Sequence, residues 1–425
     1  MSSGELSADW VLPVDGPPIA GGRVRYTDGE IVEVDVGRAE RHYPNAAIVP
    51  GFVNAHSHLE YAVYAGFGDG LSFGPWIATH IERKRQLDSE HMLAIARRGV
   101  LDSLRSGITT TADYAYAGVA AAAAGELGLR AIVYLEVFAV DPRVAQQQFA
   151  AKLAEVTETE LVRIGISPHA PYTCSLDVYR WCLSLGIPVG THLAESRAEN
   201  DWLERGEGGW SSLPSPPIAP TGKRSVATLA PVLGPELLCA HCVDLDPGEI
   251  ALLADRDVPI AHCPRSNALL GCGTAPLAEL REAGARIGLG TDSPASAPSF
   301  DVFEEMRTAV YLARAAARDP GALDAAAALR LATVDAAGVL QLDDRVGTLA
   351  AGKRADLTVV SLDGSPYHPV EDPAAAVVFG GSPERVLATV VDGKTRYTSE
   401  DEKTWQEVRS TASAARGRML ALRPR

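Results

Sequence analysis

The chain has few cysteines and no cysteine framework. Six cysteines are scattered over 425 residues, which is too sparse for a disulfide scaffold. Cysteines used in this way are most simply reduced, buried small residues of a cytosolic enzyme. Cys239 and Cys242 form a CxxC pair, but no second ligand pair at zinc-finger spacing accompanies them. A thiolate metal site is therefore not expected.

Long apolar runs and a basic charge excess are also missing. The most apolar stretch, 115–140, is interrupted by Glu126, Arg130 and Glu136, so no run approaches the ~18–20 residues of a membrane span. The first ten residues, MSSGELSADW, lack the basic segment and apolar core of a secretion signal. We therefore expect a cytoplasmic protein that does not insert into a membrane.

The charge balance points away from nucleic acid as a partner. Lys and Arg number 39 against 54 Asp and Glu, which gives a formal net charge of −15. Such a chain repels a polyanion, whereas a small-molecule substrate is compatible with it. The length fits one large α/β barrel with an accessory domain, or two to three medium domains. A homodimer is the default expectation for a protein of this class.

The middle of the chain alternates short apolar strands with helical stretches, which predicts a parallel sheet. The predicted strands lie near 47–56, 108–114, 130–138, 162–169, 187–193, 237–242, 258–264 and 286–292. Eight strands with intervening helices, such as 89–107 and 301–317, are the count of a (β/α)8 barrel. A six-stranded doubly wound sheet remains possible, although no GxGxxG opens a helix after the first strand.

The sequence patterns at both ends of the chain are typical of β-strands, and together they predict one accessory domain. We place a composite β domain over 1–48 and 345–400, the barrel over 49–344, and a C-terminal helix over 401–425. The segment 205–225 is rich in Pro, Gly and Ser. Because long loops in compact domains are usually functional or disordered, we expect it beside a pocket.

Ionisable and other polar residues concentrate where the predicted strands end, which is where barrel enzymes carry their chemistry. In chain order these residues are His56 and His58, His169, His192 with Glu195, His241, His262 with Arg265, Ser266 and Asn267, and Asp292. Six of the ten histidines occupy such positions, and histidines scattered through a core would not cluster in this way. Imidazoles and a carboxylate that converge on one point suit a cation such as zinc.

A cation held in this way lowers the pKa of a water ligand towards ~7, so that hydroxide becomes available at neutral pH. A nearby glutamate can then move protons, and a further histidine can polarise the electrophile. His169, in HAPYTCS, is expected in a substrate-binding loop. Trp76, in LSFGPWI, fits a core position or a pocket contact equally well, and His262 fits a structural or a supporting role. The remaining histidines are expected to be structural or at the surface: His42, His80, His91 and His368.

Taken together and in this order, these motifs resemble the amidohydrolase superfamily. The pieces that carry the resemblance are PGFVNAHSHLE, SPHAPYTCS, GTHLAES, CAHCVDL, AHCPRSN, GLGTDSPAS and GTLAAGKRADLTVV. The resemblance covers nearly the whole chain. It implies a distorted (β/α)8 TIM barrel with a small β-sandwich domain built from both chain termini.

The resemblance also implies a site. Two-metal members carry a lysine at the end of the fourth strand, and VRIGISPHA has none, so one divalent metal per chain is implied, zinc first, with iron or manganese possible. The implied metal ligands are His56, His58, His192 and Asp292. The implied catalytic groups are Glu195 as proton shuttle, His241 as electrostatic partner of the attacking water, and Asp292 as its base. The implied substrate contacts are His169, Trp76, Glu195 and Ser266.

The HLAE piece is similar to the mononuclear deaminase branch of the superfamily. This similarity implies hydrolytic deamination of an adenine-type nucleoside with release of ammonia. The favoured substrate is 6-amino-6-deoxyfutalosine, of menaquinone biosynthesis. Alternatives are deamination of S-adenosylhomocysteine, methylthioadenosine, adenosine or guanine, and hydrolysis of a chlorotriazine or a cyclic amide. A catalytically dead binding protein would have lost metal ligands, and all four positions are filled here.

Overall fold

The computed structural model describes residues 3–208, 210, 218–400 and 402–421. The strands are β1 (Gly4–Val11), β2 (Ile19–Ala20), β3 (Gly22–Thr27), β4 (Glu30–Val36), β5 (His42–Pro50), β6 (Phe52–Ser57), β7 (Ile108–Ala115), β8 (Arg130–Val137), β9 (Val162–Pro168), β10 (Val189–Leu193), β11 (Leu237–His241), β12 (Pro259–His262), β13 (Arg286–Leu289), β14 (Leu357–Ser361), β15 (Val386–Val391) and β16 (Lys394–Thr398). The helices are α1 (Phe73–Lys84), α2 (Ser89–Arg105), α3 (Val119–Leu127), α4 (Pro142–Leu153), α5 (Leu176–Leu183), α6 (Arg197–Arg205), α7 (Ser225–Leu229), α8 (Pro247–Asp255), α9 (Pro264–Leu269), α10 (Leu277–Glu282), α11 (Val302–Ala317), α12 (Ala325–Leu331), α13 (Val334–Val339), α14 (Pro373–Gly380) and α15 (Glu402–Leu420).

Strands β6 to β13 form an eight-stranded parallel sheet whose spatial order follows the chain order. Every residue of β7 and β8 is buried, as expected when helices cover one face and the barrel core fills the other. A doubly wound sheet would reverse its strand order at a switch point, and no reversal occurs between β6 and β13. The predicted barrel is therefore confirmed, and the doubly wound alternative is wrong.

The seam between the first and last barrel strands is closed locally. Ser57 and Asp292 form an isolated bridge, and the N–H of Asp292 donates to the carbonyl of His56 at 3.0 Å. The Asn54 side chain reinforces this seam, since its Oδ1 accepts the N–H of Thr291 at 2.9 Å and its Nδ2 donates to the Thr291 hydroxyl at 2.7 Å. These contacts bring the end of β6 next to the residues that follow β13.

The remaining strands form one mixed sheet from both ends of the chain, in the order β16-β15-β14-β5-β1-β3-β4, with β2 on β1. The β1–β5 pair is parallel, and β14 joins the N-terminal strands by pairing antiparallel with β5. The prediction of an accessory β domain drawn from both ends is confirmed. Its strands belong to a single hydrogen-bonded sheet.

The chain passes from the mixed sheet to the barrel at Gly51. A Cβ at Gly51 would lie 2.2 Å from the Thr109 side chain, so only glycine fits this crossing. The single strand predicted over 47–56 is therefore wrong: β5 ends at Pro50 in one sheet, and β6 begins at Phe52 in the other. The sequence is apolar on both sides of Gly51, because the end of β5 and the start of β6 are both buried, so the pattern does not mark the boundary.

The C-terminal helix α15 packs on α2 and holds the segment that follows β6. Arg416 donates to the carbonyl of Ala65 at 2.9 Å, and the Phe67 ring lies between the guanidinium groups of Arg83 and Arg416. This segment leads into α1, which forms one wall of the cavity described below. Across the described residues, no helix combines the length and the apolar character needed to span a membrane.

Candidate metal centre and active site

Four histidines and one aspartate meet at the C-terminal ends of the barrel strands. The cluster consists of His56 in β6, His58 directly after β6, His192 in β10, His241 in β11 and Asp292 after β13. All five are buried. Ligand atoms of His56, His58 and His192 lie within 4.8 Å of one another, and so do those of His56, His241 and Asp292. The structure thus brings together every residue that the sequence proposed as a metal ligand.

Backbone carbonyls fix the orientation of two of these rings. Nδ1 of His58 bonds to the carbonyl of Tyr114, and Nδ1 of His192 bonds to the carbonyl of His169, both at 2.8 Å. A carbonyl only accepts, so both Nδ1 atoms carry the proton and each neutral ring has a lone pair on Nε2. The two Nε2 atoms face each other at 3.3 Å. Two lone pairs that face each other at this distance fit two ligands of one bound cation.

The Asp292 carboxylate has one oxygen held and one oxygen directed at the histidines. Oδ2 accepts the hydroxyls of Ser266 at 2.6 Å and Ser296 at 2.8 Å. Oδ1 lies 3.5 Å from Nε2 of His56 and 3.5 Å from Nε2 of His58. Burial raises the pKa of Asp292, but the contact with His56 and the nearby histidines outweigh it and hold the pKa well below its usual value. The group is a carboxylate.

This donor set fits a divalent cation. Three of the separations between ligand atoms, at 3.3–3.5 Å, suit neighbouring ligands of one ion with bonds of about 2.0–2.1 Å, the Zn–N and Zn–O lengths. Both nitrogens of His56 and Nε2 of His241 are buried without a hydrogen-bond partner. Burial lowers the pKa of His56 to about 3 and that of His192 well below its usual value, so these rings are neutral, as metal ligands must be.

Glu195 lies beside this centre in the turn after β10. Its backbone N–H and that of Ala194 both donate to the Glu199 carboxylate at 3.0 Å, which fixes the turn at the start of α6. Oε1 of Glu195 is 3.8 Å from Nε2 of His241. Burial, followed by the charge of Asp292, raises the pKa of Glu195 well above its usual value. A carboxyl whose protonated form is favoured by burial therefore faces the centre.

The backbone at these strand ends is strained. The non-glycine residues Ala194, His241, Cys242 and Asp292 all have positive φ, between 49° and 78°. Left-handed conformations cost of order 1 kcal/mol or more each for such residues and persist where surrounding contacts impose them. These residues lie at the ends of β10, β11 and β13, the strand ends that bring His192, His241 and Asp292 together.

A cavity of about 1380 Å³ opens from the centre to the surface. Trp76 and His169, both predicted to contact substrate, line it. Nδ1 of His169 bonds to the Thr173 hydroxyl at 3.0 Å, its ring lies 4.7 Å from that of Phe138, and burial lowers its pKa to about 4. Neutral His169 and the indole of Trp76 thus offer a polar and an aromatic contact on the cavity wall.

Some predicted positions lie elsewhere. Ser266 was predicted to contact substrate, but it is fully buried behind Asp292 and does not line the cavity, because its hydroxyl is directed to Oδ2. His80 was expected to be structural or at the surface; it is buried, bonds to the Trp76 carbonyl at 2.7 Å and lines the cavity. Of the predicted loop 205–225, residues 209 and 211–217 lie outside the described residues, and Ile218 lines the cavity.

Two lysines that the sequence did not single out also line the cavity. Nζ of Lys84 donates to the Tyr61 hydroxyl at 2.5 Å and lies 3.4 Å from the centroid of the Tyr116 ring. Nζ of Lys152 donates to the Glu136 carbonyl at 2.6 Å and lies 5.0 Å from the same ring. Burial lowers the pKa of Lys84 to about 8. Two ammonium groups therefore flank one aromatic ring on the wall of the cavity.

Comparison with known proteins agrees with this geometry. Residues 47–396 match the family described as "Amidohydrolase family". A 5-methylthioadenosine/S-adenosylhomocysteine deaminase of Syntrophobacter fumaroxidans is 33% identical over 92% of this chain and 91% of its own length. A 5'-deoxyadenosine deaminase of Methanothermobacter thermautotrophicus is 30% identical over 82% of this chain and 81% of its own length.

Among solved structures, an adenosine deaminase from Xanthomonas campestris with bound zinc superposes with a TM-score of 0.87, at 27% identity, over 98% of both chains. A guanine deaminase of E. coli shares the fold, with a TM-score of 0.78 at 22% identity over 93% of this chain and 99% of its own. The chain belongs to the amidohydrolase family and is a hydrolase that acts on carbon–nitrogen bonds.

Proposed function

We propose that this enzyme deaminates an adenine-type nucleoside by hydrolysis, with one zinc ion bound per chain. The observation that carries the proposal is the position of the Glu195 carboxyl, which lies 3.8 Å from Nε2 of His241 beside the buried histidine–aspartate cluster and whose pKa burial raises. An amidine carbon is attacked readily only when its ring nitrogen gains a proton, and a protonated carboxyl at this position can donate one. The names of the relatives, which act on adenine nucleosides, support the same chemistry.

The residues proposed to hold the metal are His56, His58, His192 and Asp292. The zinc in the Xanthomonas campestris neighbour supports zinc over iron or manganese. When bound, such a cation supplies a Lewis acid that lowers the pKa of a water ligand towards ~7. Three imidazole nitrogens and one carboxylate oxygen form a set of ligands that suits zinc, a cation of intermediate softness.

The remaining groups divide the proton transfers between them. Asp292 takes a proton from the attacking water, and His241 hydrogen-bonds that water through Nε2, which has no hydrogen-bond partner among the described residues. Glu195 gives its proton to the ring nitrogen as the water oxygen adds to the carbon that bears the exocyclic amine. A proton then passes to the amine, ammonia leaves, and the ring keeps a carbonyl. His169 and Trp76 are proposed to contact the bound nucleoside.

The two lysines on the cavity wall support a nucleoside with an anionic extension on its ribose. The cavity is much larger than an adenosine, and Lys84 and Lys152 place two ammonium groups around the Tyr116 ring. The neighbouring wall carries Phe138 and Val140, so the region suits an aromatic carboxylate. 6-Amino-6-deoxyfutalosine, of menaquinone biosynthesis, has such a group. S-Adenosylhomocysteine, which ends in an aliphatic amino acid, is the second candidate.

The test is to incubate the zinc-loaded protein with each candidate and follow the conversion of adenine to hypoxanthine absorbance. The panel contains adenosine, 5'-deoxyadenosine, methylthioadenosine, S-adenosylhomocysteine and aminodeoxyfutalosine. Guanine and a chlorotriazine are included to test the alternative activities. We expect deamination of the nucleosides, with the highest kcat/KM for aminodeoxyfutalosine. Chloride release without any deamination, or no turnover of any adenine nucleoside, would refute the proposal.

Replacing Lys84 by methionine tests the anionic extension directly. Losing a charged hydrogen bond to a carboxylate costs about 1.5–3 kcal/mol, so we expect KM for aminodeoxyfutalosine to rise about 10- to 100-fold. KM for 5'-deoxyadenosine, which has no carboxylate, should stay at the parent value. Lys152→Met should act in the same direction, and Lys394→Met, on exposed β16, is the matched control. Equal effects on both substrates would show that the lysines do not contact a carboxylate.

A further inference from the structure

We propose that Ser266 and Asn267, adjacent residues in α9, are positioning residues, one for Asp292 and the other for His241. The inference rests on the proposed function, since it concerns how that same site is held in its working geometry. Both residues are buried and neither is among the residues that line the cavity, so we place them behind the groups that face a substrate. Each directs a hydrogen bond at a different group of the centre.

Ser266 determines which oxygen of Asp292 faces the histidines. Its hydroxyl donates to Oδ2 at 2.6 Å, and the Ser296 hydroxyl donates to the same oxygen at 2.8 Å. With both donors in place, the lone pairs of Oδ2 are used and Oδ1 is left to face His56 and His58. Groups behind a metal ligand hold its orientation and its charge, and their loss typically costs 10- to 100-fold in metal affinity or activity.

Asn267 acts on His241 in the same way. Its Oδ1 accepts the proton of His241 Nδ1 at 3.0 Å, which leaves Nε2 directed towards Glu195 at 3.8 Å. The His241 backbone is left-handed, with φ of 78°, so the strand itself does not dictate where the ring points. The amide of Asn267 supplies that constraint. Without it the ring is free to rotate or to change tautomer.

Arg265, the residue before this pair, fixes the position of α9, in which Ser266 and Asn267 lie. The N–H of Arg265 donates to Glu305 at 2.9 Å, and its guanidinium pairs with the same buried carboxylate. Its Nη2 also donates to the carbonyl of Ser299 at 2.7 Å, in the loop that follows Asp292. Arg265 thereby joins α9 to α11 and to the Asp292 loop. Three successive residues form one rigid support behind two groups of the site.

The experiment compares Ser266→Ala with Asn267→Ala, because the two residues act on different groups. Zinc affinity is measured by competition with a chelator, and kcat and KM are measured on the best nucleoside. We expect Ser266→Ala to bind zinc about 10-fold more weakly or worse. Asn267→Ala should bind zinc as the parent does but lose about 10- to 100-fold in kcat at unchanged KM.

Two further variants separate positioning from a general effect on folding. Ser103→Ala removes a fully buried serine hydroxyl of α2 that bonds only within its helix, and it should keep the zinc affinity and kcat of the parent. Asn267→Asp keeps an oxygen that accepts from His241 Nδ1, and it should recover most of the kcat lost in Asn267→Ala.

Parental zinc affinity in Ser266→Ala, or the same loss of zinc affinity in both alanine variants, would overturn the proposal. The zinc measurement uses no nucleoside, so it decides the positioning proposal even if the parent proves unable to deaminate adenine nucleosides. In that event the proposed substrate is wrong, and the zinc affinity of Ser266→Ala still decides whether Ser266 positions Asp292. If the parent is active and Asn267→Ala turns over as fast as the parent, the role of Asn267 is refuted.

Discussion

Glu195→Gln is expected to lower kcat by about 10²- to 10⁴-fold while zinc remains bound, since this is the usual contribution of a positioned proton donor. Glutamine has the same shape and keeps the backbone N–H that donates to Glu199. It cannot carry the proton that Glu195 retains through its raised pKa. The ring nitrogen of the substrate then lacks its proton donor, although the substrate still binds. Single-turnover kinetics and zinc content, measured on the same preparation, check this expectation.

The matched control is Glu249→Gln, which alters a buried glutamate that is not among the residues lining the cavity. Glu249 closes the capping box of α8 and pairs with Arg224, so its replacement should affect stability and leave kcat unchanged. Turnover by Glu195→Gln close to that of the parent would show that Glu195 is not the proton carrier. Loss of zinc from Glu195→Gln would show instead that the carboxylate supports the metal.

The barrel and the centre were predictable because both follow from local patterns. A parallel strand buried on both faces reads as a short apolar run, and its C-terminal end is marked by the first polar residue after it. His56, His192 and Asp292 each follow such a run, so their meeting point followed once eight strands were counted. The boundary at Gly51 did not follow, because the apolar run continues through it.

Two features could not be predicted, because they depend on tertiary packing and not on a local sequence pattern. These are the lysines of the cavity and the support formed by Arg265, Ser266 and Asn267. Lys84 ends α1 and Lys152 lies near the end of α4, and a charged residue near the end of a helix usually faces solvent. Only the packing of the two helices around Tyr116 places both ammonium groups in one cavity. Ser266 was picked out for its strand-end position, but periodicity could not show that its hydroxyl points away from the cavity.

Removal of the metal is expected to abolish activity and to lower thermal stability. Dialysis against a chelator leaves the facing lone pairs of His58 and His192 without a cation, and these groups are buried. A ligand present at 1,000 times its Kd adds about 4.1 kcal/mol to the stability of the state that binds it, so the apoprotein should melt at a clearly lower temperature. Activity and Tm should both return when zinc is added back in equimolar amount. Full activity in metal-free protein would refute the proposed centre.

Metal analysis should find one zinc per chain, even though a second group of candidate ligands adjoins the first. Glu136, His169 and His192 also bring ligand atoms within 4.8 Å of one another. His192, however, has its Nδ1 proton committed to a carbonyl, and its one lone pair, on Nε2, faces His58. A second ion would keep only Glu136 and His169, and the charge of Lys84 acts on that carboxylate. Two protein ligands next to an ammonium group do not hold a divalent cation, so two zinc ions per chain would contradict this assignment of the lone pairs.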